Sequence, residues 1–159
     1  MHYYDQYDSP VGILWLTGRE NVLTGLSFDK PYGEFATGNF NPVKFWLDDY
    51  FRGISREPDF EVDPGGTPFQ KLIWRLLLEI PFGKTITYGE LSKKAAQIME
   101  REYMSPQAVG QAVGRNPIAI IIIPCHRCIG AGGELTGYAY GIAKKQWLLQ
   151  HELEQEDIS

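Results

Sequence analysis

The sequence lacks any apolar run long enough to cross a bilayer, and it contains only two cysteines and three histidines. Its longest apolar run, residues 118–124, falls far short of the roughly 18 to 20 residues that a membrane-spanning helix needs. The amino terminus has neither the basic start nor the apolar core of a signal peptide. The sequence therefore predicts a cytoplasmic protein with reduced thiols and no membrane contact.

Net positive charge is also lacking, since the formal charge is −5 at pH 7. Residues 1–66 contain 5 Lys/Arg and 11 Asp/Glu, whereas residues 67–153 contain 10 and 6, and residues 154–159 add 3 acidic residues. Because the field that a ligand meets is local, the basic segment could bind phosphate groups despite the overall acidity. Two solvated surfaces of opposite sign explain the same distribution, so charge alone leaves both interpretations open.

The pattern along the chain predicts two domains and a short tail. Residues 1–30 are typical of three β-strands joined by turns, and a helix is expected over residues 42–52 with Asn41 as its cap. The stretch Asp63-Pro64-Gly65-Gly66 interrupts this pattern and is the best candidate for a linker. We therefore expect one domain at 1–66, a second at 67–153, and an acidic tail at 154–159.

The second half of the chain predicts short helices and one buried strand. Thr67-Pro68 and Ser105-Pro106 each combine a capping side chain with a proline at the first helical position. The β-branched run at 118–122 is typical of a buried strand. Helices are expected over residues 68–80, 88–99, 106–114 and 143–152, with a short strand at 85–87. The two helices at 88–99 and 106–114 suggest a helix-turn-helix.

Small residues cover one face of the helix predicted at 106–114. Small side chains let a backbone approach another surface closely, and that surface is either a second helix or the groove of a duplex. The pattern alone does not decide between the two. The residues are Ala108, Val109, Gly110, Ala112, Val113 and Gly114.

Cys125 is the candidate reactive residue, because it follows Pro124 at the end of the predicted strand and precedes His126. It is a structural core cysteine, one half of a redox pair with Cys128, or a nucleophile activated by His126 or His151. The glycine-rich segment after Cys128 weakens the redox hypothesis, because such pairs normally begin a helix. Zinc is not expected, since no second ligand pair has a usual spacing.

The segment Ile123-Pro124-Cys125-His126-Arg127 closely resembles the signature of the O6-alkylguanine-DNA alkyltransferases, also called methylated-DNA–protein-cysteine methyltransferases. The resemblance extends over nearly the whole chain. It implies an α+β fold, in which an amino-terminal antiparallel β-sheet domain of ribonuclease H-like type precedes a mostly helical domain with a helix-turn-helix. The other similar segments are 9–12, 23–26, 67–70, 80–85, 87–91, 107–110, 116–117, 135–139 and 145–152.

The resemblance also implies an activity. Members of the family flip an alkylated guanine out of the duplex and move the alkyl group from O6 to their own cysteine, once per molecule. The implied partner is double-stranded DNA containing O6-alkylguanine, bound by a monomer that needs no cofactor and no metal. The implied location is the cytoplasm, with association to the nucleoid when DNA is bound.

Family logic assigns Cys125 as the nucleophile, His126 as a base acting through a water, and Glu152 as the residue that orients the imidazole. Tyr88 matches the tyrosine that contacts the DNA backbone and helps protonate the departing guanine, and Asn116 matches the hinge asparagine. The implied substrate-binding residues are Tyr88, Cys128, Tyr138, Ala139 and Tyr140, and the implied DNA-binding residues are Gln107, Ala108, Gly110, Arg115 and Arg127.

Four features depart from the usual family pattern. Gln107 stands where many members have an arginine that fills the space left by the flipped base. Tyr140 stands where a glycine is usual, and we expect it to narrow the pocket against bulky adducts such as benzyl. The predicted strand before Cys125 has one additional isoleucine. Cys128 replaces a common apolar residue; it is either a small core side chain or the partner of Cys125 in an oxidative disulfide.

Two functions other than alkyl transfer are less consistent with the sequence. A module that only flags alkylated guanine is disfavoured because such proteins lack the reactive cysteine. A small thiol oxidoreductase would depend on Cys125 and Cys128 alone and would leave the helix-turn-helix unexplained.

Overall fold

The computed structural model describes residues 2–31, 36–118, 121–134 and 140–158. The chain divides into two compact units, Met1–Gly65 and Gly66–Ser159. Of the helices described, none is both long and apolar enough to cross a membrane.

The amino-terminal unit is built on a five-stranded sheet. Strands β1 (Tyr3–Ser9), β2 (Gly12–Arg19) and β3 (Val22–Ser27) form the predicted antiparallel meander. Strands β4 (Ala36–Thr37) and β5 (Glu61–Val62) pair in parallel with β1 and β3, which gives the order β4-β1-β2-β3-β5. Leu14 and Leu16 of β2 are fully buried on one face, as the two-residue period of a strand requires.

Helix α1 (Asn41–Phe51) buries Val43, Leu47 and Tyr50. The predicted cap is wrong by one position: Phe40 occupies the N-cap and makes no side-chain cap hydrogen bond. The backbone N–H of Asn41 instead donates to Asn39 Oδ1 over 2.9 Å, so an asparagine two residues earlier satisfies this donor.

The described residues of the carboxy-terminal unit form four α-helices and a small sheet. The helices are α2 (Pro68–Leu78), α3 (Tyr88–Ile98), α4 (Pro106–Gly114) and α5 (Ile142–Ile158). Strands β6 (Ile86–Thr87) and β7 (Cys128–Ile129) pair in parallel. Helix α5 continues to Ile158, so residues 154–158 extend a helix.

Capping side chains start three of these helices. Thr67 and Ser105 are the N-caps that the sequence predicts, and Ser105 Oγ accepts hydrogen bonds from two backbone N–H groups. Thr87 caps α3 in a capping box with Glu90. Trp74 of α2 donates from Nε1 to the carbonyl of Ala112 over 2.8 Å. This buried bond ties α2 to α4.

The strand predicted at 118–122 is absent from the part of this segment that the structure describes. Ile118 and residues 121–123 are buried but lie in turns, and Ile121 has φ +69°, a value rare for a β-branched residue. Ala119 and Ile120 lie outside the described residues. The β-branched run indicated burial correctly, but the unit's parallel strand lies further on, at Cys128–Ile129.

Candidate active site around Cys125

Cys125 begins a single turn of 3₁₀ helix, Cys125–Arg127, directly after Pro124. The backbone N–H of Cys128 donates to the carbonyl of Cys125 and closes the turn. Cys125 is only 5% exposed. The turn leads directly into β7, which pairs with the residues that precede α3.

His126 is fully buried, and its Nε2 lies 2.5 Å from Glu152 Oε2. Its Nδ1 is buried and makes no hydrogen bond within the described part of the chain. Burial lowers the pKa of His126, although Glu152 opposes this effect. The imidazole is therefore neutral at neutral pH, with Nε2–H donating to the carboxylate and a lone pair on Nδ1.

Glu152 holds together three segments of the carboxy-terminal unit. Its Oε1 accepts hydrogen bonds from Arg127 Nε over 2.7 Å and from the backbone N–H of Gly83 over 3.2 Å. Burial would raise the pKa of Glu152, but His126 and Arg127 outweigh it and hold the pKa well below its usual range. The carboxylate is therefore ionised, and both of its oxygens accept hydrogen bonds.

The position of Arg127 in the structure contradicts its predicted contact with DNA. The residue is only 8% exposed, and besides its bond to Glu152 it donates from Nη1 to the carbonyl of Ile80 over 2.7 Å. Its guanidinium also lies 5.8 Å from the centre of the Phe82 ring. Arg127 therefore braces the active-site turn against the end of α2 and is not available to a phosphate.

Lys145 is a site residue that the sequence analysis missed. It is fully buried, its Nζ donates to the carbonyl of Cys128, and it lies 6.0 Å from the centre of the Tyr88 ring. Burial raises the pKa of both Cys125 and Cys128 to about 12, and the charge of Lys145 opposes that rise. The sequence does contain an indication of this role. Lys145 precedes Glu152 by two helical turns, which puts both residues on the same face of α5.

Tyr88 is the first residue of α3 and lies half-buried beside the two thiols. Burial raises its pKa, and the neighbouring Cys128 and Cys125 add to the rise, with a side-chain hydrogen bond to Cys128. The phenol is thus protonated at neutral pH. A Cβ placed on Gly110 of α4 would lie 3.9 Å from the Tyr88 ring, so a small residue of α4 faces this tyrosine.

Helix α4 has one buried side and one exposed side. Val109, Ala112 and Val113 are buried, which assigns these small residues to helix packing. Four of the five residues predicted to bind DNA remain at least partly accessible. Gln107 and Arg115 are exposed, and Ala108 and Gly110 are half-buried.

Asn116 bridges two described parts of the segment between α4 and Cys125. Its Oδ1 accepts from the N–H of Ile118 over 2.9 Å, and its Nδ2 donates to the carbonyl of Ile123 over 3.1 Å. The N–H of Ile123 also donates to the carbonyl of Ile118 over 3.3 Å. The side chain therefore spans the segment that holds the additional isoleucine and fixes where that segment delivers Cys125.

Of the three remaining residues predicted to line the pocket, the structure describes one. Tyr138 and Ala139 lie outside the described residues, and Tyr140 is half-buried just before α5. Within the described ranges, no group of three or more His, Cys, Asp or Glu side chains could hold a metal ion.

The fold and the site together define a class: an α+β protein in which a helical second unit carries a buried cysteine beside a histidine–glutamate pair. The chain belongs to the 6-O-methylguanine DNA methyltransferase family. The model of the family's ribonuclease-like domain matches residues 2–64, and the model of its DNA binding domain matches residues 68–154.

Known proteins similar to this chain agree with that assignment. A methylated-DNA–protein-cysteine methyltransferase of Mycolicibacterium paratuberculosis is 44% identical over 94% of this chain and 91% of its own length. One from Methanosarcina acetivorans is 40% identical over 94% and 97%. The crystal structure of Mycobacterium tuberculosis O6-methylguanine methyltransferase superposes with a TM-score of 0.85, at 41% identity over 98% of this chain and 94% of that chain. The predicted family, fold class and enzyme identity are confirmed.

Proposed function

We propose that this chain repairs DNA by flipping O6-alkylguanine out of the duplex and transferring the alkyl group to Cys125. The observation that carries the proposal is the position of Cys125 next to a buried His126–Glu152 pair, in a chain of this family. A similar structure, the Mycobacterium tuberculosis protein, was solved in complex with DNA. The proposed partner is double-stranded DNA containing O6-alkylguanine, bound by a monomer in the cytoplasm and at the nucleoid.

The proposed reaction is a displacement at the alkyl carbon. A bond forms between Cys125 Sγ and that carbon while the bond from the carbon to O6 breaks and its electron pair stays on the guanine. The thiol proton must leave first, because burial keeps the pKa of Cys125 at about 12. Neutral His126 has an Nδ1 lone pair that accepts this proton through a water, and ionised Glu152 stabilises the imidazolium that results.

Two further residues handle charge during the transfer. Lys145 is buried beside both thiols, and its charge favours the thiolate of Cys125 over the thiol. Tyr88 keeps its proton at neutral pH, so its phenol can donate to the guanine as that base departs. The nucleophile is thus helped by a cation and the leaving group by an acid.

We assign DNA binding to helices α3 and α4. The base must leave the stack because its O6 substituent is out of reach of a buried thiol while it is paired. Gln107 at the start of α4 and Arg115 after its end are both exposed. In our proposal Gln107 fills the space that the base leaves, and Arg115 contacts a phosphate. A helix surface of small residues offers few donors to base edges, so sequence preference should be weak.

Each molecule should act once, because no group in the described part of the site would remove a thioether from Cys125. The direct test is incubation with a duplex containing O6-methylguanine, followed by mass spectrometry of the intact protein. We expect a gain of one methyl group on Cys125 and no gain in Cys125→Ala. Lesion binding without a gain would support a module that only flags the lesion, and a lack of DNA binding would support a thiol oxidoreductase.

A further inference from the structure

Cys128 is a buried thiol to which the alkyl transfer proposed above assigns no step. It is completely buried, and it stands three residues after the alkyl acceptor. The side chain of Tyr88 is hydrogen-bonded to it, and Lys145 lies close enough to lower its pKa against the effect of burial. A second nucleophile therefore shares the electrostatic environment of the first.

The backbone turn between the two cysteines is compatible with a disulfide. The N–H of Cys128 donates to the carbonyl of Cys125. A turn closed in this way holds its first and fourth Cα atoms less than about 7 Å apart. Disulfides join residues whose Cα atoms are about 4.4 to 6.8 Å apart. The thiols also interact electrostatically, since Cys128 is among the groups that raise the pKa of Cys125.

We propose that Cys128 is a resolving cysteine, which captures oxidised Cys125 as a disulfide and so protects the alkyl acceptor from irreversible oxidation. The inference goes beyond repair itself, because it concerns a modification of the protein by peroxide. Although Cys125 is only 5% exposed, the proposed transfer requires an alkylated base to reach it, and a peroxide is smaller than that base. Without a resolving thiol, oxidised Cys125 would proceed to sulfinic and sulfonic acids.

The chemistry balances in two steps. The Cys125 thiolate attacks one oxygen of a peroxide, the O–O bond breaks, and the thiol becomes a sulfenic acid while the second oxygen leaves as an alcohol or water. The Cys128 thiolate then attacks the sulfenic sulfur, the S–O bond breaks, and hydroxide takes up a proton to leave as water. Two equivalents of an external thiol reduce the disulfide and return both residues to thiols.

Lys145 favours both the peroxide attack and the disulfide formation, because each step needs a thiolate. Thiolates are the reactive species in peroxide attack and in disulfide formation, and the charge of Lys145 opposes the burial that would keep both residues protonated. Burial still dominates, so we expect the oxidation to be slow compared with that of an exposed low-pKa cysteine.

The experiment uses the full chain treated with hydrogen peroxide, quenched with acid and digested with trypsin without reduction. Trypsin cleaves after Arg127, so Cys125 lies in the peptide 116–127 and Cys128 in the peptide 128–144. A disulfide therefore links two peptides that are otherwise separate. We expect this linked pair, a loss of two hydrogen atoms from the intact monomer, and full return of methyl acceptance after dithiothreitol.

Cys128→Val and Cys128→Ser provide the matched comparison, and Cys125→Ser should give no linked pair. Each variant is compared with its own untreated sample. Under the same peroxide treatment we expect the Cys128 variants to gain two or three oxygen atoms on Cys125 and to lose methyl acceptance permanently. If the wild type gains those oxygens as fast as the variants, or yields no linked pair, the proposal is wrong. The wild-type result decides by itself if neither variant folds.

Discussion

Glu152 Oε2 lies 2.5 Å from His126 Nε2 in the interior of the carboxy-terminal unit. The same carboxylate accepts a hydrogen bond from Arg127 through its other oxygen. One acidic side chain thus orients the imidazole and also anchors the turn that carries it. Substitutions here should change stability and reactivity together, and the two must be measured separately.

Glu152→Gln should slow alkyl transfer by about 100-fold, the lower end of what a positioned general base contributes. An amide can occupy the same space, but it no longer stabilises an imidazolium. It also leaves Arg127 without its counter-charge, which should lower the free energy of unfolding by about 3 kcal/mol. Single-turnover rates, taken where urea titration shows the variant folded, separate the two effects. Exposed Glu154→Gln on the same helix should change neither quantity.

Acid should destabilise the protein in two steps. The folded-state pKa of His126 is lowered, so its contribution to stability is complete above its unfolded pKa of about 6.5 and declines below it. The pKa of Glu152 is also lowered, so its contribution is complete above about pH 4.3 and declines as the pH falls further. Urea midpoints measured from pH 8 to pH 3 should show both declines. His126→Gln should abolish the loss of stability that begins near pH 6.5, whereas His2→Gln should retain that loss.

Lys145→Met should reduce alkyl transfer at neutral pH by about tenfold or more, the effect of a one-unit rise in the pKa of Cys125. The lysine opposes the burial that raises this pKa. Burial lowers the pKa of Lys145, so the lysine should lose its charge as the pH rises in alkaline buffer. The rates of the wild type and of Lys145→Met should then converge. Lys144→Met, at the neighbouring position, serves as the control. A uniform loss at every pH would contradict an electrostatic role.

Arg127→Met should destabilise the fold by about 3 to 5 kcal/mol, since it leaves a buried carboxylate with fewer partners. The salt dependence of DNA binding should stay unchanged, because the guanidinium is engaged by Glu152 and Ile80. Arg115 is exposed, so Arg115→Ala should leave the free energy of unfolding unchanged. It should instead reduce the salt dependence of DNA binding by about one phosphate contact. Fluorescence anisotropy across a salt series measures the slopes. A reduced slope for Arg127→Met would restore it as a DNA contact.

Asn116→Ala should displace the loop that leads to Cys125. The substitution leaves the N–H of Ile118 and the carbonyl of Ile123 with one fewer partner, at about 1–3 kcal/mol for each group left unpaired. We expect a lower urea midpoint and slower alkyl transfer. Asn116→Asp keeps the acceptor and loses the donor, so it should fall between the wild type and Asn116→Ala.

Tyr140→Gly should accelerate the reaction with O6-benzylguanine by about tenfold, because we expect the tyrosine to narrow the pocket against bulky adducts. The rate with O6-methylguanine in DNA should change much less. Exposed Tyr103→Gly, in the loop before α4, tests for a general effect of losing a tyrosine. Equal benzyl rates in the wild type and Tyr140→Gly would exclude the proposed narrowing.

The adjacent proline, cysteine and histidine made Cys125 a candidate nucleophile with a candidate base beside it. The resemblance to the family assigned the two roles, which stay predictions. The sequence also indicated Thr67 and Ser105 as caps, since capping depends on residues a few positions away. Contacts between segments that are distant in the chain were harder to predict from the sequence. A buried lysine is uncommon, so Lys145 was overlooked, and the direction of the Arg127 guanidinium depends on Glu152, 25 residues later.

The strand predicted at 118–122 shows the same limit. Its isoleucines indicated burial, but a strand needs a partner strand to satisfy its backbone groups, and that information is not local. Asn116 supplies the hydrogen bonds of part of this segment instead. The short strand that does form, β7, has only two residues and no periodicity to detect.

Helix α5 delivers both Lys145 and Glu152 to the site. A ribosome synthesises the chain from its amino terminus, so Cys125 and His126 emerge before either of these partners. During that interval the imidazole has no carboxylate and the thiol has no neighbouring ammonium. A nascent chain therefore has a solvated thiol without the assembled site, and the proposed transfer to Cys125 requires that helix α5 has been made and has folded back.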